Sequence, residues 1–329
     1  MDQENYCEYV CSRGILKSCD IYSSTPKSGI KQIVNYDFST LKPKSTIYIC
    51  SSAMPHFTKV IAPQIPCEYI LVTGDCDETT PNDLFTNELD FYQFINSPNL
   101  IHWFAQNCIL IYHPKFSQFN NNQFINSPNL IQWFSQNFNP ISHCKLSQIP
   151  IGLDYHTLSE RDHQWGFKTS PINQEKILIN IASNAKILQD RKHKAYANFQ
   201  FLLTTKFGTD RIDAMNQVPK ELVYYESKKI KRLDTWIVQS KYAFVISPHG
   251  NGLDCHRTWE ALILGCIPIV KTSSLDPLFA DLPILIVKSW SDITQELLDN
   301  TIKEFSSKLF NLEKLKLNYW VDKINSYKN

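Results

Sequence analysis

The 329-residue chain carries no surplus of either charge: 33 Lys and Arg stand against 32 Asp and Glu, a formal net charge of +1 at pH 7. Without a global field, electrostatics gives no reason to expect nucleic acid or an anionic membrane surface as a partner. No charged leader followed by an apolar core opens the sequence, and no apolar run nears the ~20 residues of a membrane-spanning helix. No Asn-x-Ser/Thr acceptor with a permitted middle residue occurs. The ten cysteines form no CxxC pair, and Cys7, Cys11 and Cys19 lack a matching second half or a nearby histidine cluster. Free buried thiols in a reducing, cytoplasmic compartment are expected, rather than a disulfide framework.

What is present is a chain long enough and hydrophobic enough (43%) to bury a large core, with a length that suggests two domains. One internal repeat stands out. Residues 93–118 (QFINSPNLIHWFAQNCILIYHPKFSQ) return thirty residues later as 123–148 (QFINSPNLIQWFSQNFNPISHCKLSQ). Such identity marks a recent tandem duplication, and two copies are too few for a solenoid. Only the second copy runs directly into the apolar segment 149–153. One copy is therefore expected to hold the architectural position, while the other loops out or extends the sheet edge around a surface turn at 120–122.

Before the repeat, 46–50 and 69–73 read as short buried strands. The spacing of Phe85, Leu89 and Tyr92 predicts a helix over 81–95, ended by Ser97-Pro98, and 101–106 fits strand or helix equally. Polar residues from His156 to Ser170 suggest a linker, dividing a domain at 1–168 from one at 169–329. Beyond it, 176–182 reads as a strand, 191–201 as a basic helix, 222–225 as a strand and 231–240 as a helix. Residues 297–327 have near-helical apolar spacing, an amphipathic end piece. Strands alternating with helices in both halves argue for an α/β fold with parallel sheets.

Residues 243–270 (AFVISPHGNGLDCHRTWEALILGCIPIV) carry the most chemistry. An apolar strand, 243–246, leads into a polar loop with Gly250 and Gly252, then a helix with Arg257 and Glu260, the breaker Gly265, and a strand at 267–270. In such a βαβ unit the loop lies at the carboxyl end of a parallel strand, where open α/β sheets bind ligands. The helix N-terminus offers free N–H groups to an anion. A phosphate-bearing nucleotide is the expected ligand.

The stretch SPHGNGLDCHRTWEALILGCIPIV resembles the exostosin-like glycosyltransferases, and LVTGDCD (71–77), WFSQN (133–137), IPIGLD (149–154) and YWVDKI extend the resemblance more weakly. The resemblance implies two Rossmann-like domains facing a cleft (GT-B type), with a C-terminal amphipathic helix. It implies sugar transfer from a nucleotide sugar, UDP-linked, to a hydroxyl of a glycan or glycoprotein acceptor, without a metal or other cofactor. Negative charge builds on the departing diphosphate, so fixed donors there stabilise the transition state. His249, the amides around Gly250, Asn251 and Gly252, Ser247 and Arg257 are the candidates. Arg257 and Glu260 are helix neighbours at i and i+3, and the resemblance gives Glu260 the ribose hydroxyls. An arginine after the first strand of the second domain faces the phosphates in that family; Arg191, following a loop with Ser183 and Asn184, takes that role here. No step is assigned to Asp254 or Cys255.

An inverting transferase also needs a general base for the acceptor proton. Asp77 leads the candidates, with Asp75, His156 and His56 behind it and Asp154 placed similarly at the end of 149–153. Asp75-Cys76-Asp77 also spells the DxD pattern of metal-dependent GT-A transferases, a weaker alternative. A second reading from another class is a catalytically silent descendant that binds nucleotide or glycan. A dinucleotide-binding oxidoreductase fits poorly, because no GxGxxG follows an N-terminal strand.

Overall fold

The computed structural model describes residues 4–22, 41–75, 80, 83–85, 87–107, 127, 129, 131–137, 144–200 and 204–328. Within them the chain forms two compact units, one of Ser12–Pro150 with Trp320–Asn329, the other of Met1–Cys11 with Ile151–Tyr319. The division thus falls at 150/151, upstream of the compositional break near 168. The polar stretch from His156 to Ser170 and the segment before it belong to the second unit: Leu153 N donates to Val10 O at 2.8 Å, and Gln174 Nε2 donates to Tyr155 O at 2.8 Å.

The first unit is a five-stranded parallel sheet in the order β1 (Ser45–Cys50), β2 (Tyr69–Gly74), β3 (Leu100–Asn107), β4 (Gln132–Gln136), β5 (Leu146–Gln148). Helix α1 (Ser12–Lys17) precedes it, and helix α2 (Glu88–Ile95), capped by Asn87 accepting from Asp90 N, leads into β3. Alternation along the strands sends Ile47, Ile49, Leu71, Trp103 and Trp133 into one apolar core. Tyr48, His102, Phe104 and Phe134 take the other face, where Tyr327 packs 4.5 Å from His102 and 5.4 Å from Phe134 between ring centroids.

Among the described residues both copies enter the sheet side by side: the first supplies β3, and the second supplies β4 and the edge strand β5, so the second copy extends the sheet edge. Strands β3 and β4 pair in register with copy on copy, Trp103 opposite Trp133 and Phe104 opposite Phe134. Parallel in-register pairing of like sequences places like side chains side by side. The tryptophans accordingly stack at 5.1 Å and 2°, and the phenylalanines at 4.2 Å and 8°. The caps are repeated too. Asn99 Nδ2 donates to Ile65 O, past the helical segment after β1, and its copy Asn129 donates to Asn96 O, past α2. The turn expected at 120–122 lies outside the described residues.

The second unit holds a parallel sheet in the order β10-β9-β8-β6-β7: β6 is Lys192–Ala197, β7 Val223–Tyr225, β8 Tyr242–Ile246, β9 Ile267–Lys271 and β10 Leu285–Val287. Two element expectations are corrected here. Residues 176–182 are not a strand but part of helix α3 (Pro171–Ser183), started by the Ser170 cap and Pro171, with Pro171, Gln174, Glu175 and Leu178 buried along one stripe. The apolar run misled because Ile177, counted into a strand, is 36% exposed. Residues 191–201 are not a basic helix; Lys192–Ala197 is a strand hydrogen-bonded on both sides, buried at Ala195, Tyr196 and Ala197. Helices α4 (Thr209–Gln217), α5 (Arg232–Gln239) and α6 (His256–Ile263) connect the strands. The amphipathic end piece is two helices, α7 (Gln295–Phe305) and α8 (Leu317–Asn325). No helix among the described residues is long and apolar enough to cross a membrane.

Two outcomes are expected. Trp133→Ala should cost about 3–5 kcal/mol in denaturant unfolding, whereas deleting 93–122 should leave a soluble, cooperatively folding chain. That deletion joins Tyr92 to Gln123, so the second copy rebuilds the end of α2 and a strand beside β2; an insoluble product would show that five strands are required. Burial of His102, reinforced by the charge of Lys44, lowers its pKa from the usual 6.5 to about 4. The native state therefore binds fewer protons there than the unfolded chain, and stability should fall as pH drops from 6.5 towards 4. His102→Gln, which copies Gln132 of the second repeat, should flatten that slope in urea titrations at pH 4, 5 and 7.

Candidate functional site

Strand order in the second sheet reverses between β6 and β8, the first and third strands of the unit. Connections leave that point in opposite directions, and ligands of open parallel sheets bind outside the carboxyl ends there. The chain that emerges is described at 198–200 and 204–208 after β6 and at 247–255 after β8. The two stretches are tied together: Phe207 N donates to Gly250 O at 3.0 Å, and Arg211, on the first turn of α4, donates from Nε to His249 O at 3.3 Å and from Nη1 to Gln200 O at 2.7 Å.

The 247–255 loop is held at both ends. Ser247 N donates to Ile269 O at 2.9 Å, and its hydroxyl pairs with Thr258 Oγ1 of α6 at 2.8 Å. His249 is gripped by Asp210: the backbone N donates to Oδ2 at 2.9 Å, and the ring Nδ1 lies 3.4 Å from the same oxygen. Asp210 Oδ1 accepts from Trp290 Nε1 at 2.8 Å and lies 3.6 Å from Lys271 Nζ. Burial lowers the His249 pKa below its usual value while Asp210 pulls it up. The burial wins, so the ring is neutral at pH 7. A Cβ at 250 would run into the Arg211 guanidinium, so a larger residue there would push that side chain off the His249 and Gln200 carbonyls. Asn251 is exposed and Gly252 partly so.

Helix α6 brings Arg257 and Glu260 to this end of the sheet. The Arg257 guanidinium lies 5.7 Å from the centroid of Phe199, and its Nη1 is enclosed with no hydrogen-bond partner. Burial, with the charge of Arg211 added, holds its pKa below the usual guanidinium value. Two guanidinium groups thus gather near the Cys255 thiol, whose own pKa burial pushes up despite Arg257. A thiol so protonated is a poor nucleophile. An enclosed arginine nitrogen without a partner is costly unless a ligand completes it.

Segment 151–156, at the start of the second unit's main stretch, packs on the same helix. Asp254 accepts from Ile151 N and from Trp259 Nε1, both at 2.8 Å, and burial raises its pKa to about 6. His256 Nδ1 lies 2.7 Å from Gly152 O. Arg232 of α5 links the segment to Glu260. It donates from Nη1 to Asp154 O at 2.6 Å and from Nη2 to Asp154 Oδ2 at 3.2 Å, with Nε 3.6 Å from Glu260 Oε1. Burial alone would raise the Asp154 pKa, but His156, Arg232 and His256 outweigh it and hold the carboxyl far below its usual range.

The structure therefore assembles Ser247, His249, Gly250, Asn251, Gly252, Arg257 and Glu260. It does not bring Arg191 or Asn184 to them. Asn184 is the C-cap of α3, and Arg191 lies just before β6, at the amino edge of the strands. There Arg191 donates to Lys186 O at 2.8 Å and to Cys266 Sγ at 3.3 Å, beside Gly265 at φ +70°. The arginine that does follow the first strand of this sheet is Arg211. Placing β6 at 192–197 would have found it in the sequence; Asp210 and Arg232, the other groups missed, carry no motif.

Of the candidate bases, Asp77 lies outside the described residues. Asp75 ends β2 in the first unit at φ +63°, with Arg13 Nε donating to Oδ1 at 2.8 Å. His56 ends a helical turn after β1 and is partly buried, while His156 lies 3.1 Å from Asp154. Asp154 and His156 belong to the second unit, not the first. Among the described residues no three His, Cys, Asp or Glu side chains cluster as a metal-holding group.

A scan against protein-family models finds no match, and neither does a comparison with curated proteins, so the exostosin-like resemblance gains no family-level support. Some solved structures resemble the chain at a distance. An α1,3-fucosyltransferase is 11% identical over 92% of this chain and 93% of its own, with a TM-score of 0.42. The N-terminal domain of Candida albicans trehalose-6-phosphate phosphatase is 11% identical over 88% and 69%, at 0.38. AviGT4, a glycosyltransferase of avilamycin A biosynthesis, is 7% identical over 84% and 89%, at 0.32. At such scores the similarity fixes neither family nor activity.

The Arg232 contacts can be tested apart from any ligand. Arg232→Ala leaves two carboxylates without their shared cation and should cost about 3–5 kcal/mol. The loss should be larger at pH 8 than at pH 4, where the freed Asp154 regains a proton; equal losses at both would show packing alone.

Proposed function

We propose that the chain is a glycosyltransferase that binds a nucleotide sugar, UDP-linked, at the β6–β8 switch point and moves the sugar to an acceptor hydroxyl. The observation that carries this reading is the partnerless Nη1 of Arg257, enclosed beside a second guanidinium and a glycine loop at the start of α6. An enclosed guanidinium nitrogen that no protein acceptor meets suits a diphosphate. In this reading Arg257 and the amides of 250–252 receive the diphosphate, and His249, its ring held by Asp210, takes up a proton beside that negative charge and donates to it from its other ring nitrogen. Glu260, set by Arg232, accepts the ribose hydroxyls. As the anomeric C–O bond breaks, charge grows on the diphosphate and these fixed donors stabilise it. The acceptor oxygen forms the new bond and its proton passes to a base, the role left to Asp77.

A second reading is favoured by one observation. Asp75 and Asp154, two of the candidate bases, are each held by an arginine, as suits a protein that binds nucleotide or glycan without turnover. Release of UDP from UDP-sugars, with and without an acceptor, separates the two.

UDP at one hundred times its dissociation constant should stabilise the fold by about 2.7 kcal/mol, a rise of roughly 5–10 °C in melting temperature for a chain of this size. Arg257→Ala should abolish that rise while leaving the unliganded melt unchanged or higher, because it removes an enclosed guanidinium nitrogen that has no partner. No shift with UDP or GDP would refute nucleotide binding; a large drop in the unliganded melt would make Arg257 structural.

A further inference from the structure

The opposite end of the same sheet carries a second concave site. A cavity of ≈ 600 Å³ opens at the amino ends of β6 and β8, where Lys192 pairs with Tyr242, and at the edge strand β7. Lys192, Lys194 and Lys220 line it, with Glu221 as the one lining carboxylate. None of the three lysines is in an ion pair among the described residues; Lys192 Nζ rests 4.7 Å from the Tyr242 ring centroid, and Lys220 Nζ donates to Met215 O. Tyr224 and Tyr242 form the aromatic wall. They stack at 5.8 Å and 22°, and Tyr224 keeps 43% of its surface exposed. The wall is firm, because both rings also pack on the buried Tyr196, at 6.2 and 5.7 Å.

Three ammonium groups against one carboxylate around a concavity concentrate an anion, and an exposed tyrosine stacks a planar ring. A volume of this size admits a nucleotide-sized molecule. We propose that this cavity is a separate site for a nucleoside phosphate, its base against Tyr224 and its phosphates among Lys192, Lys194 and Lys220. It shares no residue with the proposed donor site and does not depend on it.

The test is calorimetry on the full chain carrying Arg257→Ala, which silences the proposed donor site, with ADP, inorganic pyrophosphate and a ten-nucleotide single strand as probes. ADP should bind one to one. Adding Lys192→Gln, Lys194→Gln and Lys220→Gln should weaken ADP and pyrophosphate by at least about tenfold, the size of one lost favourable contact. Tyr224→Ala should weaken ADP by about tenfold and leave pyrophosphate unchanged. All four positions are solvent-facing, and unchanged circular dichroism melts will verify folding. No ADP binding, or ADP binding indifferent to the three lysines, overturns the proposal. So does an equal loss of ADP and pyrophosphate with Tyr224→Ala, or tighter binding of the single strand than of ADP, which would mark a strand-binding surface instead.

Discussion

A parallel sheet that reverses its strand order leaves a gap at one place only, because elsewhere each connection covers the strand end beside it. In the second unit the reversal falls between β6 and β8, and the candidate site follows from it. The loops after those strands have to satisfy each other, which they do through Phe207, Gly250, Arg211 and His249. Asp210 then becomes the pivot: one carboxylate receives the His249 amide, the Trp290 indole and the charge of Lys271. Arg257 and Glu260 come to the same end because α6 begins where that loop stops.

The first unit obeys another rule. Its described strands run in sequence order without reversal, so its topology singles out no position for a ligand. The order is also what made the duplication tolerable. A strand repeated in tandem, together with its asparagine contact, can dock on its original in register, since tryptophan meets tryptophan and phenylalanine meets phenylalanine. An insertion of unrelated sequence would have had to find complementary partners; a copy brings its own.

Much of this was legible in the residues. The strands at 46–50, 69–73, 243–246 and 267–270 showed as short apolar runs, and the loop with Gly250 and Gly252 followed from its neighbours. The failures share a cause. Residues 176–182 and 191–201 exchanged helix for strand because apolar count was weighed above the Ser170 cap and because lysines at the exposed start of β6 masked its buried Ala-Tyr-Ala half. That error displaced the expected phosphate-facing arginine from Arg211 to Arg191. Arg232 and Asp210 were beyond reach for a different reason: their partners, Asp154 and His249, lie 78 and 39 residues away along the chain, and pairing at such separation leaves no local pattern.

The two units are interleaved in sequence. The first eleven residues belong to the second unit, and Trp320–Asn329 belong to the first, where Tyr327 and Lys323 lie against the sheet face that bears His102 and Phe134. Chains usually fold unit by unit as they leave the ribosome. Here the strands of the first sheet, between residues 45 and 148, precede the second-unit stretch 151–319 in synthesis, and Tyr327 reaches their His102 and Phe134 face only after it. Until then the Phe134 side of that face lacks its Tyr327 cover, and it is the surface a nascent chain must keep from other chains meanwhile.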